Sequence, residues 1–237
     1  MNGTSGTNVQ SSDGTNDSIA YIKKIISMAS NNPRGSLFIS ATANGYANTN
    51  WYFDYLGDPS YVYGPYAINA QYGVTNINPT ANVIGTSGTN AYGENFTAQA
   101  TNVAGYYTGG WDSATGCHGT NDGYCFVDGS VRFFGNSGWF IMSTIDSFNG
   151  QRVTFQAGYL TWFATNAFGG TNYSNTPVGA VTTVNEPRLQ GKPSSAVYYG
   201  EWSAGKSFAL SAWDAQIEGN GIPVVYFHAV GDPFIRK

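Results

Sequence analysis

Residues Pro177–Lys237 read PVGAVTTVNEPRLQGKPSSAVYYGEWSAGKSFALSAWDAQIEGNGIPVVYFHAVGDPFIRK. Val178–Val184 is a nearly unbroken β-branched run, the pattern of a central parallel strand. Ala196–Tyr199 predicts a short strand. Ser203–Gln216 predicts a helix with Phe208, Leu210, Ala212 and Trp213 facing inward, and Val224–Val230 a closing strand. Strands alternating with helices in this order indicate an α/β domain.

The upstream sequence extends that layout. Residues 1–17 contain mostly Gly, Ser, Thr, Asn and Asp, too polar to bury a core, and predict a disordered leader or linker before a single α/β domain over 18–237. Asp17 or Ser18 can cap a helix whose apolar face is Ile19, Ile22, Ile25 and Ile26, with Lys23 and Lys24 opposite; Asn31-Asn32-Pro33 ends it. Strands are expected at 36–41, 82–86 and 102–108, a hairpin around Asp128-Gly129, and helices over 66–74 and 153–167, the latter ended by Gly169-Gly170. The expected fold is a three-layer, mostly parallel sheet with helices on both faces, caspase-like or flavodoxin-like.

Composition excludes several function classes. Of 237 residues only 10% are charged, against about 25% in an average chain, while 16% are aromatic and 31 are glycine. The net charge is −4, and the ten basic residues form no stripe that could neutralise phosphates, which argues against nucleic-acid binding. No apolar run reaches the roughly 18 residues of a membrane span. The first residues lack a basic and an apolar region, so they are no signal peptide; an export signal would lie outside this sequence. Low charge with abundant Tyr, Asn, Thr and Gly resembles exported bacterial proteins, placing the chain outside the cell or in its envelope.

Two long Gly-rich loops hold the chemistry. In the first, over residues 43–66, Trp51, Tyr52 and Tyr55 offer flat rings for sugar or peptide stacking, or for packing their own loop. The second, over 109–125, contains Trp111, Cys117, His118 and Cys125. Cys117 and Cys125 suggest a disulfide, which for so short a loop would contribute about 2.5 kcal/mol. Alternatively His118 acts as a base toward Cys125 or Ser137. Adjacent Cys117-His118 makes a poor zinc chelate and a fourth ligand is missing, so no metal and no cofactor is expected. His118 followed by Asp128-Gly129 matches a pilin-type signature only by chance, since the apolar N-terminal helix of those proteins is missing. Gly200–Ser207 (GEWSAGKS) spells a phosphate-loop pattern between an expected strand and helix. Glu201 and Trp202 stand where amides should cradle phosphate, which argues for a helix start instead.

The motifs WFIMSTIDSFNGQ (139–151), GAVTTVNEP (179–187), GKSFALSAW (205–213) and AVGDPF (229–234) together resemble an uncharacterised family of exported bacterial proteins. SATANGYANTNWYFD (40–54) and Gly105–Trp111 fit the same pattern. The resemblance covers roughly residues 19–237 and implies a C-terminal portion of a longer protein. The closing strand–helix–strand is also similar to the end of gingipain-type cysteine peptidases, with caspase-like domains. That similarity implies a strand ending in His-Gly, matched by His118-Gly119, and a later strand ending in Cys. No cysteine follows Cys125, and the expected strand end lies near Asn136-Ser137.

Three functions stay open: a binding or assembly domain using its aromatic loops toward glycan or protein, a cysteine-peptidase-like hydrolase using His118, and a self-assembling surface or filament subunit, hence a homo-oligomer. Whether the chain is an enzyme stays open with them.

Overall fold

The computed structural model describes residues 14–30, 34–41, 83–89, 95–108, 131–144, 150–151, 159–185, 193–217 and 227–237. In chain order the elements are α1 (Gly14–Ala29), β1 (Leu37–Ala41), β2 (Val83–Thr89), β3 (Asn95–Thr101), β4 (Val103–Thr108), β5 (Arg132–Phe134), β6 (Ile141–Thr144), α2 (Tyr159–Trp162), β7 (Gly179–Thr183), α3 (Ser195–Ser203), α4 (Phe208–Ile217) and β8 (Phe227–Gly231). A 3-10 turn at Ala167–Gly169 follows α2.

β1, β4, β6 and β7 lie side by side and parallel, and β8 closes the sheet antiparallel to β7. The side chains of each strand divide between the two faces, as a sheet covered on both sides requires, and a bulge in β4 brings Val103 and Tyr106, three residues apart, to the same face. Phe38, Ala104, Ile141 and Val181 point to a core shared with α1, α3 and α4. Their neighbours Leu37, Val103, Phe140 and Ala180 point to a second core, with Phe133, Trp162 and Phe168. The molecule is therefore a three-layer α/β fold, with α2 on the second face. That face also carries a small sheet ordered β2–β3–β5, antiparallel between β2 and β3 and parallel between β3 and β5. At its centre Phe133 stacks on Phe168 at 4.9 Å, while Tyr106 and Phe140 meet both rings edge-on.

Several sequence expectations need correction. Ala196–Tyr199 is helical, not a strand. Ser194 caps α3, its hydroxyl accepting from Val197 N at 3.2 Å. Tyr198, Tyr199 and Trp202 then fall on one face and bury completely or nearly so. Packing of this face overrides the strand propensity of Val-Tyr-Tyr.

The helix expected from Asp17 or Ser18 begins at Gly14. Asp17 accepts a hydrogen bond from the Tyr173 hydroxyl. The inward stripe of α1 is Tyr21, Lys24, Ile25 and Met28, spaced i, i+3, i+4, i+7, rather than the four isoleucines. Ile19, Ile22 and Ile26 are 45%, 55% and 70% exposed. Arg34 closes the helix by donating to Met28 O and Ala29 O, its guanidinium 3.8 Å above the Trp139 ring.

In α4, Leu210 and Trp213 face outward, opposite to expectation. The inward stripe is Phe208, Ser211, Ala212 and Ala215, whose small side chains let the helix sit close to α3 and the sheet. Residues 66–74 and 121–130, with the expected helix and hairpin, lie outside the described residues, as does 152–158 from the expected 153–167 helix.

Candidate functional site

Parallel strands all finish at the same edge of a sheet, and α/β folds place ligands beyond that edge. Here Ala41 pairs with Thr108, and Thr108 with Thr144, so β1, β4 and β6 end level with one another. The two aromatic Gly-rich segments follow neighbouring strands in the sequence. The segment after Ala41 holds Trp51, Tyr52 and Tyr55; the segment after Thr108 holds Trp111, Cys117, His118 and Cys125. These seven side chains lie outside the described residues, and so does the expected disulfide.

On one face of these strands α3 is held by aromatic hydrogen bonds. Tyr199 donates its hydroxyl to Tyr106 O at 2.7 Å, Tyr198 to Met142 O at 3.1 Å, and Trp202 Nε1 to Ala104 O at 3.1 Å. Burial pushes the Tyr198 hydroxyl well above its ordinary pKa, which keeps it a neutral donor. Beside β7, Gly150 N donates to Thr183 O at 2.7 Å, and Gln151 Nε2 to Val184 O at 2.8 Å. His228 Nδ1 lies 3.3 Å from Gly150 O, and Tyr159 packs edge-on against its ring. Gly150 and Gln151 are thus tied to the end of β7.

Ser137, a candidate nucleophile, sits elsewhere. It precedes β6, at the amino edge of the sheet, and is fully buried. Its hydroxyl donates to Phe134 O at 2.5 Å and accepts from Val103 N at 2.9 Å. Both interactions fasten the start of β4 to the turn after β5, and no face of the hydroxyl meets solvent. Near Asn136-Ser137, β5 of the small sheet ends at Phe134, while β6 of the main sheet ends at Thr144.

The phosphate-loop pattern is likewise a helix end. Gly200 to Ser203 are the last residues of α3. Ala204 N donates to Gly200 O, Gly205 N to Trp202 O and Lys206 N to Glu201 O, the last two forming a Schellman cap. Gly205 supplies the left-handed residue this cap requires, with φ at +83°. The amides that would cradle phosphate are consumed, and the strand that should precede them is absent. Ser207 and Phe208 instead meet the C-terminal residues: Phe208 N donates to Ile235 O at 2.8 Å.

Two features escaped the sequence reading. Lys24 is 7% exposed, and its amine donates to Thr176 O and, at 3.0 Å, to Thr176 Oγ1. Burial lowers its pKa to about 7. A cleft of about 460 Å³ also opens between α1, the α2 region and the end of β8. A lysine at the i+3 position of a buried stripe was the available signal for the first; the second needs the chain crossing that only the fold supplies. Among the described residues no cluster of His, Cys, Asp or Glu could hold a metal, and no helix is long and apolar enough to cross a membrane. No family model, curated protein or solved structure matches the chain.

Proposed function

We propose that the protein is an extracytoplasmic binding or assembly domain. It presents the loops of residues 43–66 and 109–125 from the carboxyl edge of its sheet to a glycan or protein partner. The observation that carries this reading is the level parallel pairing of Ala41, Thr108 and Thr144. In the sequence both aromatic segments follow neighbouring strands of a sheet to which Tyr198, Tyr199 and Trp202 pin α3. Trp51 and Trp111 are the residues to follow, since base- or sugar-like rings and apolar side chains all stack on indole.

The test is a tryptophan-fluorescence titration of the chain against panels of soluble glycans and peptides. Binding by one panel, weakened at least tenfold in Trp51→Ala or Trp111→Ala with the melting temperature unchanged, supports the reading. Silence across both panels removes it.

A second reading keeps His118 as a general base toward Cys125, because the loop holding both follows the carboxyl end of β4. Ser137 drops out of this reading, being buried and engaged on both sides. Alkylation followed by intact mass separates the alternatives. Cys117 and Cys125 labelling only after reduction would mark the disulfide. Fast native labelling of Cys125 near pH 7 would mark a thiol of lowered pKa and an enzyme.

A further inference from the structure

The geometry points to a second ligand site, at the opposite edge of the sheet, that takes an apolar compound carrying a positive amine. The cleft there encloses about 460 Å³, within the range of small-molecule sites. It adjoins the amino end of β7, since Gly231 in its wall pairs with Gly179.

Its lining is mostly hydrocarbon, with two acids among it. Ile22 and Ile26 of α1 line it together with Phe163 and Val230. Those isoleucines, 55% and 70% exposed, are large apolar side chains left to water beside a concave surface. Among the described residues, the charged ones lining it are Asp17 and Asp232, both acids, with no lysine, arginine or histidine. Both carboxylates are held. Asp17 accepts from the Tyr173 hydroxyl, and Asp232 Oδ1 accepts from Phe234 N at 2.8 Å.

The frame is rigid as well. The Tyr21 hydroxyl donates to Val178 O at 2.6 Å and accepts from Asp232 N at 2.8 Å, while its ring meets Phe163 edge-on at 5.8 Å. One side chain thereby locks α1, β7 and the Asp232 turn around the cleft. A fixed carboxylate beside a low-dielectric wall attracts a cation more strongly than it would in water and repels an anion. An alkyl or aryl ammonium satisfies the wall and the acids together. A fatty acid satisfies only the wall.

Calorimetric titration of the full chain with octylamine, octanol and octanoate reads both halves of this argument. Octylamine is expected to bind at least tenfold tighter than octanol, with octanoate weakest. Asp17→Asn with Asp232→Asn preserves the acceptors for Tyr173 and Phe234, and should bring octylamine down to the octanol level with melting unchanged. Ile26→Gln should weaken all three. Absence of octylamine binding, equal binding of octanoate, or an amine preference that survives the double Asn variant overturns the site. Trp51→Ala and Trp111→Ala should leave octylamine binding intact, which separates this cleft from the carboxyl-edge loops.

Discussion

Lys24 shows how one side chain can set a pH profile. Among the described residues its amine meets only the oxygens of Thr176, so burial acts unopposed and takes its pKa from 10.5 to about 7. Between those two values the unfolded chain holds a proton that the folded one has released. Stability therefore rises with pH across this window, and is lowest and flat below about 7. Tyr21 acts in the opposite sense. Burial, partly offset by its bond from Asp232 N, pushes the hydroxyl from 10.0 to about 12, so the unfolded phenol ionises first and stability falls between those values. Tyr198 adds to that fall. Urea unfolding from pH 6 to 12 should show a maximum near pH 10. Lys24→Met should flatten the rise and stabilise the protein at pH 7 by a few kcal/mol, since each pKa unit is worth about 1.4 kcal/mol. Tyr21→Phe should soften the fall. A profile of Lys24→Met parallel to that of the wild type would show that the amine stays charged.

Among the elements, α3 and its cap mark where sequence reading failed and why. The string Ala196–Tyr199 has the composition of a strand, and only the hydrogen bonds of Tyr198, Tyr199 and, a turn later, Trp202 to β4 and β6 reveal why it is wound as a helix. The same misreading gave the phosphate-loop pattern its strand. The α4 stripe failed for a related reason: Leu210 and Trp213 are the most apolar residues at hand, yet Ser211, Ala212 and Ala215 are the ones that fit the space. Size decided over hydrophobicity. Two glycines separate conformation from packing. At Gly205, φ is +83° and a Cβ would meet nothing within 4 Å, so Gly205→Ala should cost only the left-handed penalty of about 1 kcal/mol. A Cβ on Gly179 would lie 2.5 Å from Phe208 Cδ2, so Gly179→Ala should cost about 1–3 kcal/mol through overpacking. Chemical denaturation orders the two, and an equal loss at both would contradict this account. ATP with magnesium should give no thermal shift, and Lys206→Ala should leave that result unchanged. A saturable shift that disappears in Lys206→Ala would restore the nucleotide reading.

The whole molecule was legible wherever chain-local pattern and tertiary role agree. Val178–Val184 announced a central strand because β7 is covered on both faces, and 36–41 and 102–108 announced β1 and β4 for the same reason. Of the small sheet, β2 was announced by the strand expected at 82–86, but β3 was hidden because it lacks a β-branched run, and the parallel pairing of β3 with the three-residue β5 is a long-range feature. Of the candidate site, the two loops could be picked out by composition, but their launch from adjacent strands could not. The amino-edge cleft depends on Tyr21 meeting residues more than 150 positions away, which no local pattern encodes. This architecture also makes a prediction about dynamics. A strand that is flanked on both sides and buried on both faces opens only when the domain unfolds, whereas an edge strand can fray by itself. Ala104–Tyr106 in β4, Ile141–Ser143 in β6 and Ala180–Val181 in β7 occupy the first situation, and β8 holds only β7 as a partner among the described strands. Native-state amide exchange should accordingly show the three inner strands exchanging together, with one free energy equal to that of global unfolding, and β8 exchanging faster. If β8 were as protected as β6, a further segment would have to cover its outer edge, and the amino-edge cleft beside it would be correspondingly less open to a ligand.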